Sequence, residues 1–285
     1  MITENTMEKD KKLIIITGSN KGIGLGLIKK ILNTDPLYRI FMCVRSMERG
    51  KAALEELKQN FPNAESHVLI HNLDIADSKS IDEFVDWVKS SKTQIDCLIN
   101  NAAVLTRTNE VNIDLVNKTF PTNYYGTIEL TEKMLPFMTN NSKIIFITSS
   151  LGTYKHLTYC KFKERLKNPK LTRKELKNIV DEFCNEVKCN NSPIITGEYP
   201  VYGFTKLALN CYTRILSKEK AIEDKDIQVY ACHPGWVKTD IGGPNAILTI
   251  EQGIECPYYL LNLPWTINEN LQGKFFAKCQ SQEVF

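Results

Sequence analysis

The sequence has no Cys-x-x-Cys pair among its nine cysteines and no histidine cluster to accompany them. An odd, unpatterned count of thiols excludes a disulfide framework and a structural zinc site, and it fits a reducing compartment. The four histidines include no His-Glu-x-x-His, and no Gly-x-Ser-x-Gly is present, so neither a zinc hydrolase nor an α/β-hydrolase is supported. No bound metal is expected. No apolar run approaches the roughly 20 residues that a membrane helix needs. The net charge of +3 is too small to argue for nucleic acid or an anionic membrane as partner. Met1 to Asp10 is polar and carries acidic residues, unlike a secretory or transit peptide. The expected location is the cytoplasm. Internal repeats and low-complexity tracts are also missing.

What is present is ordinary globular material with a marked rhythm. The apolar content of 42% and charged content of 24% in 285 residues suit one large domain with a full core. Strand-like runs occur at Lys12–Thr17, Arg39–Val44, His67–Asn72, Asp96–Asn100, Lys143–Thr148, Ile227–Cys232 and Lys274–Ala277. Helical patterns lie between them, such as Ile81–Val88, where Ser80 and Glu83 have capping-box spacing. The alternation predicts an α/β fold of Rossmann type, a doubly wound parallel sheet of about seven strands with helices on both faces. Ligands of such sheets bind beyond the C-terminal strand ends. About fifty residues separate Ser150 from Tyr202, far more than a strand-to-helix loop requires. Within them Thr172 and Glu175 form a capping box, and Leu176, Ile179, Val180, Phe183 and Val187 recur with helical spacing. Residues 151–200 are therefore read as a helical insertion in a single domain spanning 1–285.

Two features carry chemistry. The first strand runs into Gly18-Ser-Asn-Lys-Gly-Ile-Gly24 and then into a helical pattern. Strand, glycine turn and helix start make a phosphate site. The glycines let the backbone approach a pyrophosphate, and the helix N-terminus offers free N–H groups and a positive dipole end. The second feature is Tyr202-Gly-Phe-Thr-Lys206. On a helix these two side chains share a face, and an adjacent ammonium favours the phenolate, so Lys206 is expected to lower the Tyr202 pKa. A tyrosine tuned in this way can exchange a proton with a carbonyl or alcohol oxygen. Taken singly, each feature is also a plain loop or an amphipathic helix face.

Other groups fall at strand ends. Arg45 follows the second strand, where no acid is present, and Lys21 lies in the glycine turn; together they favour the 2′-phosphate of NADPH over NADH. Asp74 follows the third strand and could accept from an adenine amino group, or simply start a helix. Asn100-Asn101-Ala-Ala follows the fourth. Asn123, just after Pro121, marks a helix break. Thr148-Ser-Ser150 ends the fifth strand and offers a hydroxyl to a substrate oxygen. His233-Pro-Gly-Trp-Val-Lys-Thr-Asp240 follows the sixth.

In this order and placement the residues resemble the short-chain dehydrogenase/reductase family, and more narrowly its monomeric carbonyl reductase branch. Thr-Gly-x-x-x-Gly-Ile-Gly, Asn-Asn-Ala, Ser-Ser and Tyr-x-x-x-Lys carry the first likeness. Thr-Asn-Tyr-Tyr-Gly-Thr, the long insertion, Pro-Gly-Trp-Val-Lys-Thr-Asp and Gly-Ile-Glu-Cys-Pro-Tyr-Tyr-Leu carry the second. The resemblance implies NADP(H) as cofactor, a small carbonyl compound as substrate, and a monomer. It implies Tyr202 as proton donor and Lys206 on the nicotinamide ribose. Ser150 would bind the substrate carbonyl, and Asn123 would hold a helix kink and a water that links Lys206 to solvent. Gly18, Asn20, Lys21, Gly22, Ile23 and Gly24 would cradle the pyrophosphate, with Lys21 and Arg45 on the 2′-phosphate. Asp74 and Ile75 would contact adenine, and Asn101 the adenine-side ribose. Pro234, Gly235, Val237, Lys238 and Thr239 would line the nicotinamide side, with Trp236 facing substrate. A non-catalytic NADP(H)-binding regulatory or scaffold protein is the alternative. The complete set of Asn123, Ser150, Tyr202 and Lys206 argues against it. An NAD-linked alcohol dehydrogenase is disfavoured by Arg45.

Overall fold

The computed structural model describes residues 11–34, 38–189 and 194–284. The segment from Met1 to Asp10, on which the absence of a leader was read, lies outside them. Ten strands occur among the described residues: β1 Lys12–Thr17, β2 Tyr38–Val44, β3 Val68–Asn72, β4 Ile95–Asn100, β5 Met138–Ile147, β6 Tyr159–Cys160, β7 Ile195–Thr196, β8 Gln228–His233, β9 Phe275–Ala277 and β10 Gln280–Gln282. Eight of them form one sheet in the order β10-β9-β8-β5-β4-β1-β2-β3. All its pairings are parallel except that of β9 with β10. The expected doubly wound sheet is thus present. The strand order reverses direction beside β1, where such sheets bind their ligands.

The sheet carries eight strands rather than seven. The added strand β10 exists because Lys278 and Cys279 both take left-handed backbone angles, φ 52° and 59°, and close a two-residue hairpin. Neither residue type signals such a turn. The helix expected at Ile81–Val88 runs from Ser78 to Ser90, and its cap is Asp77, whose carboxylate accepts from the Lys79 N–H. Ser80 instead accepts from the Asp74 N–H.

Strand burial follows from composition. Leu13 to Ile16 are β-branched or leucine and are buried, as a central strand covered on both faces requires. One apolar cluster, under the helices Gly22–Thr34, Met47–Asn60 and Glu255–Leu261, includes Ile14, Ile16, Leu27 and Leu260. The other cluster lies on the opposite face. It includes Phe84 of Ser78–Ser90, Leu130 of Thr127–Met134, and Phe204 and Leu207 of Pro200–Leu216.

The insertion contributes to that second cluster. Thr172 and Glu175 form the expected reciprocal cap on the helix Arg173–Lys188. Leu176, Ile179, Val180, Phe183 and Val187 are all buried. Phe183 stacks on Phe204 with ring centroids 4.1 Å apart. The insertion also holds the small antiparallel pair β6–β7, which has no counterpart in the sequence reading.

The helix Ile113–Phe120 continues into one π-helical turn, Pro121–Gly126, before resuming as Thr127–Met134. Pro121 lacks the N–H that a regular turn would use, so the break falls there. Gly126 permits the Ile75 carbonyl to approach, since a Cβ on it would stand 1.6 Å from that oxygen. No helix among the described residues is long and apolar enough to cross a membrane.

Candidate functional site

The glycine turn is shaped by close approaches. Gly18 and Gly22 have φ of +62° and +58°. A Cβ on Gly18 would lie 2.9 Å from the Ala102 backbone, and one on Gly24 would lie 2.7 Å from Ser19. Asn101 holds the turn in place: its side-chain nitrogen donates to the Thr17 and Gly18 carbonyls at 2.8 and 3.1 Å. The side-chain amide of Asn101, the residue expected on the adenine-side ribose, thus braces the turn. Gly22 to Gly24 open the following helix, with Asn20 half-buried just before it and Ile23 packed against its own side of the sheet. This is a backbone cradle with N–H groups at its rim.

Residues 234–249 fold over that cradle. Thr239 reaches within 3.3 Å of where a Cβ on Gly22 would be. Its hydroxyl accepts from the Gly242 N–H and donates to the Val237 carbonyl. Val237 is buried, and the Lys238 N–H donates to Leu248, which fixes the segment after Pro234 and Gly235. Trp236 is half-exposed and donates to the Gly242 carbonyl.

Two cations tie this segment down. Lys21 pairs with Asp240, holding that carboxyl below the usual carboxylate range. Arg107 donates to the Asp240 and Ile241 carbonyls. Arg45 stands exposed after β2, and Arg49 follows one turn later, close enough to act on Asp240 as well. Sequence reasoning missed Arg49 and Arg107; the Arg45-x-x-x-Arg49 spacing at a helix start was the available signal for the former. Asp74 is half-exposed and accepts from the Ala76 N–H, whereas the Ile75 side chain is buried, leaving only its backbone for a ligand.

The groups expected to react lie at the ends of β5 and β8. Tyr202 and Lys206 lie on Pro200–Leu216, with the ammonium 5.6 Å from the centre of the phenol ring. Lys206 donates to the Ile147 carbonyl at 2.9 Å. The Ser149 hydroxyl comes near enough to act on the Tyr202 phenol. Ser150 was the serine expected here, and the backbone sets the two serines apart. Ser149 is extended, at φ −156° and ψ 151°, while Ser150 begins the tight turn Ser150–Gly152 and swings off the strand line. Gly152 lets this turn press onto the Tyr202 helix; a Cβ there would be 2.6 Å from the Lys206 backbone. The glycine three residues after Ser149 was the overlooked signal.

The electrostatics also depart from expectation. Burial pushes the Tyr202 phenol up to about 12, opposed by the Ser149 hydroxyl. Burial also pulls Lys206 down to about 8. Desolvation outweighs the pull expected from the ammonium, so the phenol keeps its proton across the neutral range. Asn123 is fully buried in the π turn. Its side chain accepts from the Val104 N–H and donates to the Val104 carbonyl at 2.8 and 2.9 Å, with a longer contact to Thr205. It thus ties the kink to the loop after β4 and to the Tyr202 helix.

Comparison with known proteins fits this geometry. Residues 12–162 match the family model described as short chain dehydrogenase. Carbonyl reductase [NADPH] 1 of Sus scrofa is 29% identical over 266 residues, covering 90% of this chain and 89% of that protein. The (+)-neomenthol dehydrogenase of Arabidopsis thaliana is 27% identical and covers 97% of this chain and 99% of its own. Among solved structures, salutaridine reductase from Papaver somniferum superposes with a TM-score of 0.81 at 24% identity, over 94% of this chain and 100% of that one.

Proposed function

The chain belongs to the short chain dehydrogenase family, and from that premise we propose that it reduces ketone or aldehyde carbonyls with NADPH. The observation that carries this reading is the buried pair Tyr202 and Lys206 sharing one helix face, with Lys206 anchored to the Ile147 carbonyl at the strand end. The relatives named as NADPH carbonyl reductases support it. The residues present fit the cofactor. The cradle closes if Gly18 or Gly24 gains a Cβ, and Arg45 and Arg49 stand exposed after β2, with Lys21 in the turn. Bound NADPH supplies the hydride. Gly18 to Gly24 would hold the pyrophosphate, Arg45, Arg49 and Lys21 the 2′-phosphate, and Lys206 the nicotinamide ribose. Ser149 and Tyr202 would bind the substrate oxygen. Tyr202, neutral until charge develops there, would give its proton to that oxygen. The test is NADPH consumption with a panel of ketones and aldehydes. Tight NADPH binding with no carbonyl reduced would favour the non-catalytic reading instead.

Cofactor choice follows from charge. Arg45→Asp puts a carboxylate beside the 2′-phosphate and removes a charge-assisted contact worth roughly 1.5–3 kcal/mol. NADPH affinity, measured by competition binding, should fall about tenfold to a hundredfold while NADH affinity holds or improves. Equal or tighter NADH binding by the unaltered protein would overturn the assignment.

The same reading makes the chain one domain with 151–200 as an insertion, and a monomer. In support, Phe183 of the insertion covers both Phe204 and Phe120, leaving that side of the Tyr202 helix inside the core. A stable oligomer at micromolar concentration in sedimentation would contradict it. A cytoplasmic location accords with nine free thiols.

A further inference from the structure

His233 is the last residue of β8, and the atom Nδ1 of its ring is buried with no hydrogen-bond partner among the described residues. An imidazole nitrogen in that state costs free energy until something pairs with it. The other histidine with a buried, unpaired nitrogen, His71, is boxed by the rings of Phe41, Phe84 and Trp87 on β3. His233 stands elsewhere, at the reacting edge of the sheet.

Its position follows from register. β5 and β8 run parallel with Ile147 opposite Cys232. Beyond that pair Thr148, one residue before Ser149, donates its N–H to the Cys232 carbonyl beside His233. Side chains alternate along a strand. Tyr230 and Cys232 belong to the cluster on the far face, while Val229 and Ala231 belong to the cluster that holds Phe204, Leu207 and Ala208 of the Tyr202 helix. His233 follows Val229 and Ala231 and takes the Tyr202 side. The insertion brings His156 near enough to act on it, a few residues after the Ser150–Gly152 turn. His233 and the Tyr202 helix thus lie on the same side of the β8 strand end, with one ring nitrogen unpaired.

We propose that His233 is a specificity-determining residue of the reductase site, its Nδ1 hydrogen-bonding a second, uncharged oxygen that the substrate carries beside the carbonyl being reduced. The inference rests on the carbonyl reductase reading. Burial together with His156 pulls the ring down to about 4, so it is neutral at physiological pH. A neutral imidazole donates to, or accepts from, an oxygen according to its tautomer, but offers no charge to a carboxylate. A buried carboxylate there would lose its hydration without a compensating cation.

Three probes of nearly equal size separate the possibilities: diacetyl, butanone and pyruvate. They place at the neighbouring position a carbonyl oxygen, a methylene and a carboxylate. The comparison is the ratio of kcat/KM for diacetyl over butanone, in the wild type and in His233→Phe. Intrinsic reactivity cancels between the two proteins, so a change in ratio reports the contact. The ratio should fall about 3- to 10-fold in His233→Phe, the span of one neutral hydrogen bond. It should recover in part in His233→Asn, whose side-chain amide can occupy the place of Nδ1. His233→Leu gives the same reading should the larger ring not fold. Pyruvate should be the poorest of the three. An unchanged ratio in the phenylalanine or leucine variant overturns the proposal, as does a wild-type preference for pyruvate over diacetyl. A wild type that reduces neither diacetyl nor butanone nor any other carbonyl overturns the reductase reading itself. A wild type that reduces them with a His233-independent ratio leaves that reading intact and removes only this one.

Discussion

Replacing Tyr202 with phenylalanine should lower carbonyl turnover by about 10²–10⁴-fold, the usual contribution of a positioned general acid. The substitution keeps the aromatic volume in a nearly full site, where Tyr202 is 8% exposed, and removes only the hydroxyl. That hydroxyl is acted on by the Ser149 side chain, and Tyr202 sits one helical turn from Lys206. With its pKa pushed up to about 12, the phenol is protonated over the whole neutral range. It is therefore ready as a donor at the moment an alkoxide begins to form, and its titration should impose no loss of rate near neutral pH. NADPH affinity, followed by cofactor fluorescence, should change little, because the hydroxyl points to Ser149 and the substrate side. Near-normal turnover by Tyr202→Phe would remove Tyr202 from the proton-transfer step.

Much of this arrangement was legible in the chain because its signals are local. β1 spans the residues that the apolar run marked, since an unbroken β-branched segment ending at a glycine has few other ways to be buried. The helix Arg173–Lys188 shows the cap and the five buried positions that its spacing announced. Tyr202 and Lys206 share a helix face because i and i+4 must. What escaped the sequence depends on contacts distant along the chain or on small backbone choices. Lys21 meets Asp240 across 219 positions, and nothing near either residue announces it. The Lys278–Cys279 turn adopts a conformation for which its residue types carry no preference. Asp77 rather than Ser80 caps its helix because the backbone becomes extended one turn earlier than the apolar pattern begins. The direction of the Tyr202 shift was hidden for a third reason. Spacing reveals the neighbouring ammonium, but the depth of burial that outweighs it belongs to the folded molecule.

The choice between two adjacent serines gives the second large effect. Ser149→Ala should cost about 10²–10³-fold in turnover, the loss typical when one donor to a developing oxyanion is removed. Part of the change would be structural, since the Ser149 hydroxyl also accepts from the Leu151 N–H and caps the turn Ser150–Gly152. Losing such a cap costs about 1 kcal/mol of stability, so a thermal melt should accompany the kinetics. Ser150→Ala tests the same strand end without touching the Leu151 hydrogen bond. Its side chain begins the turn, and the contact with Tyr202 belongs to its neighbour. Its turnover should therefore remain far closer to wild type than that of Ser149→Ala. Kinetics of the two variants with one ketone decide the matter. If Ser150→Ala is the more damaged of the pair while both remain folded, then the hydroxyl that binds the substrate oxygen is not the one the turn presents to Tyr202. The backbone after β5 would then have to rearrange when substrate arrives.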